Sequence, residues 1–221
     1  MDGNGRWAKA RGLERVSGHA EGAESVRACL EYAVEKGIKY LSLYAFSEEN
    51  WNRPTEEVEA LMGLLMHHIE KELPLMMKHN IRCIALGNRS RLSDSVNAAL
   101  DSVMAKTAAN TGTTLVVFLS YSGKWDILQA VKKAASQLTP QELLSLEPQD
   151  FERFLVTADI PDPDLLIRTS GELRISNFLL WQGAYTEFYF TDTLWPDFRK
   201  PQFQEALDEY ARRDRRYGKV K

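Results

Sequence analysis

Cysteine is scarce in this chain, with only Cys29 and Cys83 among 221 residues and no CxxC pair. One falls in a helical pattern and the other in a strand pattern. Both read as small buried apolar residues of a reducing compartment, against a disulfide-framed fold. Histidine is sparse as well: His19, His67, His68 and His79 show no metal-ligand spacing, so no zinc centre is expected. A basic excess is missing. The formal net charge of −3 argues against nucleic acid as a partner, despite the arginine-rich end RRDRRYGKVK. No apolar run approaches the roughly 20 residues of a membrane span, and no basic-then-apolar leader opens the sequence. Neither GxxxxGK[ST] nor GxGxxG follows any strand pattern, which disfavours a nucleotide-binding phosphotransferase. Repeats, linkers and low-complexity tracts are lacking too. What remains is a globular protein expected in the cytoplasm, with 44% hydrophobic and 27% charged residues and enough length for one sizeable core.

Apolar runs rich in β-branched or aromatic residues alternate with longer helical patterns. The strand candidates are KYLSLYAF (39–46), IRCIALG (81–87), TLVVFLSY (114–121), DLLIRTS (164–170) and TEFYFTD (186–192). Helical patterns lie near 20–36, 55–79, 92–109, 124–137, 141–157 and 201–216. Most strands are continuously apolar, as in a sheet covered on both faces. Their alternation with helices implies parallel βαβ units and one α/β domain, a central parallel sheet flanked by helices. Thr139, Pro140 and Glu142 fit a capping box with proline in the first turn. Gly37 reads as a left-handed helix stop, and Pro74 should bend or end the 55–79 helix.

In open parallel sheets, ligands sit beyond the carboxyl ends of strands. SEENWNRP, YSGKWD and RTSGELRISN follow three of the strand candidates. MDGNGR fits the same pattern if a strand precedes it, so the natural protein is expected to begin earlier. DGNG is either an Asx-type turn or an anion cradle, with Gly3 and Gly5 freeing backbone N–H groups and Arg6 forking onto phosphate oxygens. In the second reading Asp2 offers an oxygen to Mg²⁺. Arg168 and Arg174 bracket an SGE turn, with Ser176 close by. They serve either an anion or an internal ion pair with Glu172, and a helix is expected to begin after Ser176 or Asn177. In SEENWNRP, Asn52 or Thr55 can cap the next helix and Pro54 suits its first turn, an account that does not use Trp51 or Arg53. His19, just before a helix, is a cap, a core residue or a ligand. Alternation puts Tyr185, Glu187 and Tyr189 on one face, where Glu187 is either solvent-facing or a metal ligand. The leucines and methionines of the 55–79 helix serve either a core or an elongated apolar cavity.

DGNGRWA, the GH of SGHAEG, YAFSEENWNRP, IRTSGELRISNFLLWQ, AYTEFYF and WPDF occur in this order and spacing. Together they make essentially the whole chain resemble the cis-prenyltransferases. The resemblance implies a homodimer with a hydrophobic tunnel between sheet and helices. It implies a Mg²⁺-dependent transferase that extends an allylic diphosphate, such as farnesyl diphosphate, by cis additions of isopentenyl diphosphate. The product would be a long-chain polyprenyl diphosphate such as undecaprenyl diphosphate, the lipid-carrier precursor for cell-wall synthesis, with peripheral membrane contact for its release. By resemblance, Gly3, Asn4, Gly5 and Arg6 hold the allylic diphosphate beside Trp7, and Asp2 is the metal-associated aspartate. Arg15, His19, Ser47, Glu48, Glu49, Trp51 and Arg53 line the substrate site. Arg168, Arg174, Ile175 and Ser176 hold isopentenyl diphosphate, and Glu187 is a metal ligand at the dimer interface. Tyr217 matches a terminal motif that reaches the partner's site. Asn50 matches the residue assigned to the departing proton, though a neutral amide is a poor base and suits an orienting role better. Two substitutions depart from the pattern: Lys124 stands where arginine is common, and Glu48 where serine or threonine is usual. A non-catalytic subunit of the same fold would be expected to lack the phosphate loop or the aspartate; this sequence keeps both.

Overall fold

The computed structural model describes residues 1–214, so Tyr217 lies outside the described residues. All five expected strands form: β1 (Tyr40–Ser47), β2 (Arg82–Leu86), β3 (Thr114–Tyr121), β4 (Leu165–Arg168) and β5 (Glu187–Phe190). Every pairing among them is parallel. β3 lies between β1 and β2, with Thr114 opposite both Tyr40 and Arg82, while β4 pairs with β5 in a separate two-stranded ladder. β3 is covered on both faces: Leu115 and Leu119 join one core cluster, Val116, Phe118 and Tyr121 another. Burying each such side chain contributes about 1.5–3 kcal/mol, which explains the unbroken apolar run of this strand.

The helices are α1 (Asn4–Ala10), α2 (Arg15–Glu35), α3 (Thr55–Lys78), α4 (Asp94–Thr107), α5 (Gly123–Gln137), α6 (Pro140–Leu144), α7 (Pro148–Phe151) and α8 (Lys200–Ala211). Two local expectations hold, and a third, that Pro74 ends its helix, does not. Thr139 and Glu142 close a reciprocal capping box ahead of α6. Gly37 sits at φ 69°, just past the end of α2. Pro74 lies inside α3 without ending it.

Four expectations are corrected. MDGNGR is the start of α1 rather than a simple turn, with Gly3 as its N-cap at φ 109°. α2 begins at Arg15, so His19 lies within its first turns and not ahead of it. The pattern at 141–157 is not one helix: Pro148, which cannot donate to a preceding turn, starts a separate α7. No helix begins after Ser176. Ser176, Asn177 and Leu179 take φ of 48°, 62° and 47°, left-handed values that rule out a right-handed helix there.

Glycine decides how α1 sits. A Cβ on Gly18 would lie 2.0 Å from the Asn4 carbonyl oxygen, and one on Gly22 would lie 2.5 Å from Asn4 Oδ1. Spaced four apart on one helical face, the two glycines of SGHAEG let α1 rest directly on the backbone of α2.

Candidate active site

The chain is pinned where α1 begins. The Asp2 amide donates to Thr169 Oγ1 (2.9 Å), Thr169 Oγ1 donates back to the Asp2 carbonyl (2.8 Å), and the Trp195 amide donates to the same carbonyl (3.0 Å). This fixes Asp2 beside the end of β4. Its Oδ2 accepts from Arg168 Nη2 at 3.0 Å and lies 3.7 Å from Arg6 Nη2, and its Oδ1 accepts from the Gly3 amide at 2.8 Å. Partial burial pushes the Asp2 carboxyl upward. The hydrogen bond and charge of Arg168, the Gly3 amide and the charge of Arg6 outweigh that and hold it below the ordinary range.

Both rim arginines are held by the turn after β4. Arg6 donates to the Ser170 carbonyl (3.0 Å) and hydroxyl (2.5 Å) and pairs with Glu172 (3.1 Å). Arg168 donates to the Arg174 carbonyl (2.5 Å) and to Ser176 Oγ (2.6 Å). Arg174 itself pairs with Glu172 at 2.5 Å. The internal ion pair considered for this turn is therefore present, but Arg168 takes no part in it.

These groups stand at the edge of a cavity of about 1990 Å³. It is bounded by residues 39–45 of the β1 edge, residues 164–169 of the β4 edge, α2 and α3. Neither of those two strand edges has a strand partner among the described residues. Leu61, Leu65, Ile69 and Met76 of α3 line the cavity while the same helix packs into the main core, so its apolar surplus serves both purposes. The polar part of the lining includes Asp2, Asn4, Arg6, Arg15, His19, Ser47, Glu49, Asn50, Arg53, Arg168 and Ser176, with Gly3 and Gly5 between them, and Ile175 lines the cavity beside Ser176. Four buried polar atoms of lining residues, Asn4 Oδ1, His19 Nε2, Arg168 Nε and Gln182 Oε1, have no protein partner, an arrangement suited to a polar ligand. The first-turn amides of α1 also have no acceptor inside the helix.

A family model, Prenyltransf, of undecaprenyl diphosphate synthases, matches residues 1–218. The chain belongs to this family. Isoprenyl transferase of Porphyromonas gingivalis is 51% identical across 100% of this chain and 87% of its own length. The farnesyl-diphosphate-specific ditrans,polycis-undecaprenyl-diphosphate synthase of Haemophilus ducreyi is 50% identical over 99% of this chain and 91% of its own. Lavandulyl diphosphate synthase from Lavandula x intermedia, solved with dimethylallyl diphosphate, superposes with a TM-score of 0.95 at 35% identity, covering 99% of this chain and 95% of that one. The parallel α/β fold is thus that of the family, and the chain is a transferase of the prenyl diphosphate synthase type.

Within this family member, several expected site residues stand behind the rim rather than on it. Trp7 donates its indole N–H to Asp197 (2.7 Å), with Arg11 stacked on its ring. Glu187 pairs with Arg213 at 2.8 Å, and the expected shared face dissolves because β5 begins only at Glu187: Tyr185 is 72% exposed, Tyr189 8%. Glu48 and Trp51 turn to the end of β3 and to Arg91, outside the cavity lining. Asn52 and Thr55 do not cap α3; Pro54 occupies the N-cap, without a side-chain bond. Lys124 stays on the cavity wall, its amide held by Asn177 Oδ1 at 3.0 Å.

Glu57 and Asn177 were not singled out by motif. Glu57 accepts from Arg15 (3.1 Å) and Arg53 (3.0 Å), gathering two cations whose charges act on His19. Burial and those two guanidinium charges depress His19 to about 4, so its imidazole is neutral near pH 7. Asn177 donates to Glu49 Oε1 at 2.7 Å, joining the loop after β1 to the loop after β4. Glu57 falls four residues after Arg53, an ion-pair spacing readable in a helix start. Asn177 has no comparable signal.

Mg²⁺ fits the donor set. Such an ion is usually held by one or two carboxylates together with substrate phosphates, and Asp2 is a hard, 41% exposed carboxylate beside the guanidiniums of Arg6 and Arg168. No group of three or more metal-ligating side chains exists among the described residues.

Proposed function

We propose that the protein elongates an allylic diphosphate, farnesyl diphosphate by preference, through successive cis additions of isopentenyl diphosphate, giving a long-chain polyprenyl diphosphate. One observation carries the reading: Asp2, Arg6 and Arg168 meet within hydrogen-bonding or ion-pairing distance at the edge of a large apolar cavity. That juxtaposition suits a substrate with a multiply charged anionic head and a hydrocarbon tail.

Arg6 and the first-turn amides of α1 bind the allylic diphosphate, and Arg168 and Ser176, supported by Arg174 and Ile175, bind isopentenyl diphosphate. The allylic C–O bond breaks as the isopentenyl double bond attacks, and the departing diphosphate gains charge. Fixed donors aimed at that charge favour the transition state. Mg²⁺ bound at Asp2 would add Lewis-acid neutralisation of the same oxygens. Asn50 Oδ1 already accepts from the Ser47 amide at 3.1 Å, which leaves its NH₂ group to donate. Asn50 therefore orients a diphosphate oxygen, and that oxygen takes the proton lost in forming the new double bond. The growing chain enters the apolar cavity, which serves as the tunnel; each CH₂ it buries contributes about 0.8 kcal/mol.

The active form is a homodimer, to which Glu187 and Tyr217 contribute, with peripheral contact at a membrane face for product release. No helix among the described residues is long and apolar enough to cross a membrane. Incubation with farnesyl diphosphate, labelled isopentenyl diphosphate and Mg²⁺, followed by sizing of the products, tests the reading. Absence of incorporation by the purified chain would overturn it in favour of a non-catalytic subunit.

A further inference from the structure

The 3₁₀ turn Glu48–Asn52, directly after β1, has two sides. Glu49 and Asn50 line the cavity, while Glu48 and Trp51 do not. The second side is closed by residues far away in sequence. Ser120 Oγ donates to Glu48 Oε1 at 2.6 Å and accepts the Trp51 indole N–H at 2.8 Å. Arg91 pairs with Glu48 Oε2 at 2.6 Å, and its guanidinium lies 4.8 Å from the centre of the Trp51 ring. Phe46 meets the same indole edge to face at 5.0 Å.

Two further details show that the cluster is built and not incidental. Ser120 is fully buried at φ 49°, a left-handed value that a non-glycine residue holds only when its surroundings enforce it. Arg91 stands on a short turn that is itself anchored. Asn97 of α4 binds Arg89 and the Leu92 carbonyl, and the Asn88 amide donates to the Ser120 carbonyl at 3.0 Å. The guanidinium thus has a fixed base, a carboxylate on its edge and an aromatic face beneath it, a combination that a lysine cannot reproduce.

We propose that Arg91 is a positioning residue for the diphosphate site: by holding Glu48 and covering Trp51 it fixes the turn that carries Glu49 and Asn50. It also accounts for Glu48, whose added negative charge next to a diphosphate-binding rim is matched by Arg91. This inference rests on the function proposed above for the same rim. Without Arg91, Glu48 keeps only the Ser120 hydroxyl, and its charge acts on the incoming diphosphate.

The test compares the full chain with R91M, E48Q and R91M/E48Q. Binding of inorganic pyrophosphate is measured by calorimetry, and KM and kcat are measured for isopentenyl diphosphate. R91M should weaken pyrophosphate binding and raise KM about fivefold, the upper end for a partly exposed ion pair. R91M/E48Q should recover only the part of that loss caused by the unmatched charge and stay short of the parent, because the turn is still not held, and R91K should fall between R91M and the parent. A double variant restored to the parent's KM, which would leave charge matching alone, or an R91M whose losses appear only as a lower melting temperature at unchanged KM, would overturn the proposal. If R91M does not fold, R91K against E48Q carries the same comparison: an R91K with the parent's KM overturns it. Pyrophosphate binding is read without turnover, so a parent chain that fails to elongate would sink the proposed function and leave this test standing.

Discussion

Replacing Gly18 by alanine puts a methyl group 2.0 Å from the Asn4 carbonyl oxygen. That oxygen is backbone of α1, so no rotamer change can relieve the clash, and the helix start must retreat from α2 by more than an ångström. Overpacking of this kind costs about 1–3 kcal/mol, and the better helix propensity of alanine returns about 0.5–1 kcal/mol. With rigid backbone as the obstacle, a net loss of about 2 kcal/mol is expected, which for a chain of this size lowers Tm by about 4–8 °C. The effect on catalysis should be larger than that shift suggests. The displaced segment carries Asp2 and Arg6, and misplacing reacting groups by about 1 Å can cost about 100-fold in rate. Gly63 supplies the matched control: it lies in α3 with nothing within 4 Å of an added Cβ. Gly63→Ala should raise stability by about 0.5–1 kcal/mol at unchanged turnover. Thermal melts and single-turnover incorporation of labelled isopentenyl diphosphate read both variants. A Gly18→Ala protein with the parent's Tm and rate would show that the contact between α1 and α2 does not set the position of the site.

Asp2→Ala should keep the fold and lower turnover on the order of 100-fold or more; near-parental turnover would remove Asp2 from the mechanism. Arg168→Ala should act mainly on the concentration dependence of isopentenyl diphosphate, and an unchanged KM would count against that assignment. Arg168→Ala should also move the acid limb of activity to higher pH, since Arg168 helps hold the Asp2 carboxyl below its usual value. His19 is depressed in the fold to about 4 from 6.5, so between those values the unfolded chain binds the extra proton and stability falls as pH falls. Melting curves of His19→Gln across that window should show a shallower loss than the parent; parallel curves would refute the neutral burial of His19.

The strands were the most legible part of the chain. Five runs mapped onto five strands, and the signal is unbroken in TLVVFLSY because β3 is buried on both faces. The ends of the runs were less certain. The predicted DLLIRTS forms a strand only through Arg168, where the backbone turns left-handed at Ser170 and Gly171. The stretch after Ser176 or Asn177 reads as the start of a helix, and none forms there. Its course is set by distant groups instead: Asn177 joins Glu49 and the Lys124 amide, and Gln182 donates to Asp126 and Thr157. No local propensity encodes those partners. At the site, Asp2, Arg6 and Arg168 could be nominated from residue type and loop position. The reason for Glu48 could not, because its partner Arg91 lies beyond a whole helix and strand. In SGHAEG it is Gly18 and Gly22, rather than the histidine, that bring α1 down onto α2.

The rim is already charge-matched from within: Arg168 holds Asp2, Arg6 and Arg174 share Glu172, and Arg15 and Arg53 share Glu57. In the function proposed above, a diphosphate would enter by exchange, taking over guanidiniums from carboxylates that were using them. Affinity should then be lower than the number of arginines suggests, since each bond made to phosphate would replace one made to a carboxylate. The same swap would run in reverse as pyrophosphate departs, with the carboxylates reclaiming their cations. The repeated additions of that proposal would benefit from such reversible grip, which follows from acidic residues set among the basic ones.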